Sequence, residues 1–88
     1  MSERDAAQQV LAALKLAAAK PAPESLADLN GLIPLVQGHG EVSLEVDEAR
    51  SSAFLSICEA GKALHRGQPA EGLFTAAIKA TERWAGLV

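Results

Sequence analysis

Apolar residues recur at intervals of three and four over most of the chain, the period of helices that bury one face. From Asp5 to Lys20 the stripe is Ala6, Val10, Leu11, Leu14, Ala17 and Ala18, with Gln8, Gln9 and Lys15 largely off it. Ser2 or Asp5 can cap the start, and Pro21 and Pro23 stop the run because each lacks an N–H and restricts the residue before it. A second stripe holds Ala53, Phe54, Ile57, Cys58, Gly61 and Leu64. Asp47 is the expected N-cap of that helix, which runs to about Arg66, where Gly67 suits the left-handed position after a helix end. A third stripe follows Pro69 and contains Leu73, Phe74, Ala77, Ile78, Thr81, Trp84 and Ala85.

The middle of the chain follows a different rhythm. Ser25 caps a short turn through Leu29, Asn30-Gly31 punctuates it, and Pro34 opposes a helix continued to Gln37. Leu32 to Gln37 is a short apolar run, Gly38-His39-Gly40 a turn, and Glu41 to Asp47 alternate, with Val42, Leu44 and Val46 on one side. The expected fold is mainly α: one small helical domain over residues 1–88, with three long helices, a short turn and a β-hairpin at 32–46. A lone hairpin is marginal in water, so it needs the first helix or a second chain against it. Two hairpins joined in one sheet would make a homodimer and pair the exposed edge.

Length and charge narrow the picture. The chain has 88 residues, enough for one core, and 18 of its hydrophobic residues are alanine. No apolar run is long enough to span a membrane, and the start Met1-Ser2-Glu3-Arg4-Asp5 lacks a basic region followed by an apolar one, so a cytoplasmic protein is expected. Cys58 is the single cysteine, which excludes an internal disulfide and a cysteine-rich zinc site. Of the 11 acids, six fall between residues 21 and 49 with no Lys or Arg among them.

None of the candidate motifs assembles a reaction centre. Gly38-His39-Gly40 matches no phosphate-binding loop and reads as a plain turn. Cys58 and His65 share a helix face but lie nearly two turns apart, about 10 Å, too far for a thiol–imidazole pair. Glu41, Glu45, Asp47 and Glu48 lack the ladder of a calcium loop and fit a strand-to-helix junction without metal. No cofactor, no metal and no enzymatic activity are expected.

The order strand, helix, helix over 41–85 resembles a ribbon-helix-helix DNA-binding dimer in architecture, which would imply a transcriptional regulator. The outward ribbon positions are Glu41, Ser43 and Glu45, however, and phosphate repulsion speaks against nucleic acid. Gly61 to Gly67 with Ile78-Lys79-Ala80 resembles a tetratricopeptide helix pair, without its spacing or a repeat, and nothing is carried over from it. The acidic segment suits a basic protein partner instead. Leu55 lies off the stripe of its helix, and Trp84 with Leu87 and Val88 either closes the core or forms an exposed apolar end. The expectation is a small non-enzymatic regulator or adaptor, homodimeric, that meets a protein partner through Glu41, Glu45, Glu48, Leu55, Trp84 and Leu87. A structural subunit of a phage or secretion assembly is the other expectation.

Overall fold

The computed structural model describes residues 2–20, 25–37 and 42–88. They form four helices, α1 (Glu3–Ala19), α2 (Ser25–Gln37), α3 (Leu44–His65) and α4 (Glu71–Leu87). The mainly α class agrees with the sequence reading. The hairpin and the count of three long helices do not: among the described residues there is no strand, and 32–37 and 44–46 are helical. Gly38, His39, Gly40 and Glu41, on which the turn and part of the second strand rested, lie outside the described residues.

Segment 32–37 is helical because burial outweighs local preference. Leu29, Leu32 and Val36 fall on one face and are all buried, which is worth about 5–9 kcal/mol together. Against this stand Pro34, at about 3 kcal/mol in a helix interior, and Gly31, at about 1 kcal/mol. Pro34 is exposed, so its ring displaces nothing in the core.

The alternation Val42, Leu44, Val46 also belongs to a helix start. Ser43 has extended backbone and its Oγ accepts from the Val46 N–H at 3.2 Å, so the N-cap is Ser43 rather than Asp47. Val46 is buried and Val42 half-buried, one turn apart, while Leu44 between them points to solvent. Glu45 and Asp47 then sit in the first turn, favoured by the helix dipole. The far end of α3 closes as the sequence suggests. Gly67 takes φ +67°, and the N–H groups of Gly67 and Gln68 donate to the carbonyls of Leu64 and Ala63 at 3.2 and 2.8 Å.

Each helix packs on two others: α1 on α2 and α4, and α3 on the same two, so α1 and α3 occupy one diagonal of the bundle. Leu26 near the start of α2 lies beside Gly61 near the end of α3. Glu3 at the start of α1 reaches both Arg50 near the start of α3 and Trp84 near the end of α4. The chain therefore runs up, down, up, down. The bundle is 36 Å long, about the ~33 Å of α3 itself.

Fully buried Ala7, Ala49, Ala53, Ala60 and Ala77 let the helices approach closely, and Leu14, Leu29, Ile57, Phe74 and Trp84 fill the space between them. On α4 the stripe read from sequence is the buried one, with Phe74, Ala77, Thr81 and Trp84 inside. Thr81 satisfies its hydroxyl within the core by donating to the Ala77 carbonyl at 2.8 Å. Among the described residues no helix is long and apolar enough to cross a membrane.

Candidate functional site

Two polar features and one groove stand out from this core. The first joins three helix ends. Arg50 Nη1 donates to Glu3 Oε1 at 2.7 Å, Arg50 Nη2 to Asp47 Oδ1 at 3.1 Å, and the Trp84 indole N–H to the same Glu3 Oε1 at 3.0 Å. The side chain of Arg50 is 9% exposed and that of Glu3 19%, whereas Asp47 is 55% exposed. Arg50 sits one turn after Val46 and one before Ala53, on the buried face of α3, so its guanidinium must find its acid inside. With both strong contacts on one oxygen of Glu3, the cluster locks α1, α3 and α4 together. Of its members only the Asp47 carboxylate is well exposed.

Trp84 is therefore not an accessible anchor. It is fully buried, because its stripe on α4 faces the core and its N–H has a carboxylate to meet. Leu87, three residues on, is at the margin of exposure, and Val88 is half-buried. The apolar end considered from sequence thus loses its largest member.

The second feature is the outer face of α3. Leu55 is 62% exposed and Leu44 74% exposed, and they lie three turns apart on the same side of the helix. Glu45, Glu48, Ser51 and Ser52 are exposed between them, followed by Glu59, Lys62 and Arg66. The face is thus acidic toward the start of α3 and basic toward its end, with Leu55 at the centre. Within the helix Lys62 Nζ lies 3.5 Å from Glu59 Oε1, both well exposed, a pair of little energetic weight. Glu41, the remaining acid of the expected surface, lies outside the described residues. Leu44 was missed by the sequence reading, which placed it on the inner side of a strand.

The third feature is a groove between α2 and α3 of about 410 Å³. Leu29 and Ile57 form its floor and Leu26 and Ile33 its walls, while Lys62, His65 and Arg66 stand at one end. Cys58, which the sequence places on the apolar stripe of its helix, is half-buried and lines this groove. Among the described residues no three His, Cys, Asp or Glu side chains gather where they could hold a metal ion, and no buried side-chain nitrogen or oxygen lacks a hydrogen-bond partner.

No protein-family model, no curated protein and no solved structure matches this chain.

Proposed function

We propose that this protein is a small non-enzymatic protein-interaction module, a regulator or adaptor, whose working surface is the outer face of α3 and whose first partner is a second copy of itself. The observation that carries the reading is the self-complementary order of that face. Leu55 is eleven residues from both Leu44 and Arg66, and seven from both Glu48 and Lys62. When two α3 helices pair antiparallel about Leu55, each Leu55 meets its copy. Glu48 then faces the second copy's Lys62, and Leu44 the aliphatic stem of its Arg66.

Ser51 and Ser52, both small, flank the centre and let the helices come close. The basic partner that the acidic segment suits is, on this reading, the C-terminal half of another α3. The remaining surface of the resulting dimer is then available to a further protein.

The contact is a single helix stripe with one central leucine, so the dimer is weak and reversible. Sedimentation velocity over micromolar to millimolar protein measures it. Glu48→Lys turns two attractive pairs into repulsive ones and should weaken dimerisation about 30-fold, taking each exposed pair at ~0.5 kcal/mol of attraction replaced by as much repulsion. Lys62→Glu should do the same, and the double variant should restore most of the affinity. High salt should shrink these differences. A wild-type chain that stays monomeric at millimolar concentration, or a double variant no better than either single one, would refute the proposal.

A further inference from the structure

We propose that the α2/α3 groove binds an anionic amphiphile with a single alkyl chain, a medium-chain carboxylate, laid along α3 with its head at Lys62, His65 and Arg66. Polarity in the groove changes along its length. Ile33, Leu29 and Ile57 occupy one end, Leu26 and Gly61 the middle, and the three nitrogen-bearing side chains the other end, with no Asp or Glu among the described residues of the lining. From Ile57 to His65 the helix rises ~12 Å, a span for an extended chain of several methylenes. The order found here, apolar apart from the exposed Asn30 on the rim and cationic at one end, matches a molecule with one tail and one charge. The groove volume of about 410 Å³ lies within the ~300–1,000 Å³ of small-molecule sites.

Gly61 gives independent support. It lies inside α3, where alanine would be favoured by ~1 kcal/mol, and a Cβ there would meet only the Leu26 Cδ1 at 3.4 Å, ordinary contact. Packing of α2 on α3 does not require the glycine. What its missing side chain does is keep the middle of the groove open.

The test is titration of the full chain with octanoate, decanoate and dodecanoate below their micellar concentrations, read by amide chemical shifts and by the alkylation rate of Cys58. Each two added methylenes should tighten binding about 15-fold until the groove is filled, since each buried CH₂ contributes ~0.8 kcal/mol. Bound carboxylate should shield Cys58 from alkylation.

Decyltrimethylammonium should bind far more weakly than decanoate. Gly61→Leu should abolish binding by filling the groove. Arg66→Glu, on the exposed rim where folding is not at stake, should weaken it about 5-fold or more. Lys62 and Arg66 also lie on the pairing face, so Leu55→Asp, which unpairs the copies and leaves the groove lining intact, should leave carboxylate binding at least as tight while abolishing the dimer; a loss of both together would overturn the assignment of the groove. Equal binding of the cationic amphiphile, no dependence on chain length, or stronger Cys58 protection by an acidic amphipathic peptide than by decanoate would each overturn the proposal.

Discussion

Arg50→Met removes the guanidinium of the buried cluster while keeping most of the aliphatic stem that packs on the face of α3. In the wild-type protein the charge lies 2.7 Å from Glu3 Oε1 with both side chains largely out of water, and 3.1 Å from an Asp47 that is mostly in water. These two contacts should differ sharply in weight. Removing one partner of a buried pair costs ~3–5 kcal/mol, chiefly because the other charge is left uncompensated. Glu3 retains some exposure and the Trp84 N–H, so ~2–3 kcal/mol is expected for Arg50→Met.

Asp47→Ala removes an exposed i,i+3 contact and should cost no more than ~0.5 kcal/mol. For a chain of this length the whole stability is ~4–13 kcal/mol, so the first change is large and the second is near the limit of detection. Urea unfolding followed by far-UV circular dichroism and by the fluorescence of Trp84 measures both, and the coincidence of the two probes tests two-state behaviour. In heat, Arg50→Met should lower Tm by ~10–20 °C. A cycle with Glu3→Gln should return a coupling of ~1–3 kcal/mol. If Arg50→Met cost less than ~1 kcal/mol, or Asp47→Ala cost as much, the buried cluster would not be what joins the helix ends.

Three further changes follow from local geometry. Gly61→Ala should stabilise the fold by up to ~1 kcal/mol in the same unfolding assay, because the new methyl meets only Leu26 Cδ1 at contact distance. Gly67→Ala should destabilise by ~1 kcal/mol, since φ +67° is strained for any residue with a Cβ, even though nothing stands within 4 Å of the added atom. Ser43→Ala should cost ~1 kcal/mol by leaving the Val46 N–H without its cap, and hydrogen exchange should show the loss concentrated in the first turn of α3.

The periodic parts of the chain were legible because their signals agree with one another. In α1 and the second half of α3, the stripe agrees with the cap or the terminator, down to Gly67 at the end of α3, while in α4 the stripe alone carried the reading, since its N-cap Ala70 makes no side-chain cap. In residues 25–46 the local signals conflict. Asn30-Gly31 and Pro34 argue against a helix, but the face made by Leu29, Leu32 and Val36 has somewhere to go only once α1 and α3 are in place. That is a tertiary gain with no local mark. The alternation at 42–46 misled for a related reason, since Val42 and Val46 also satisfy a one-turn spacing and Ser43 is as good a cap as Asp47.

Arg50 did carry a mark, a charged residue at a position in line with Val46 and Ala53, which becomes visible once α3 is extended to Leu44. Its partners could not be read, as Glu3 and Trp84 come from the two ends of the chain. Leu55 was legible as a residue off its stripe. Its position midway between Leu44 and Arg66 has meaning only on a continuous α3.

Site-specific disulfide trapping tests the central proposal, pairing of α3 about Leu55, most directly. In a Cys58→Ser background, Leu55→Cys places the new thiol opposite its own copy, within the ~4.4–6.8 Å between Cα atoms that a disulfide needs, whereas Leu44→Cys faces the second copy's Arg66 and finds no thiol. Mild oxidation at micromolar protein, read on a non-reducing gel, should give a cross-linked dimer from the first variant and monomer from the second. Equal cross-linking of both, or none from Leu55→Cys, would contradict the account.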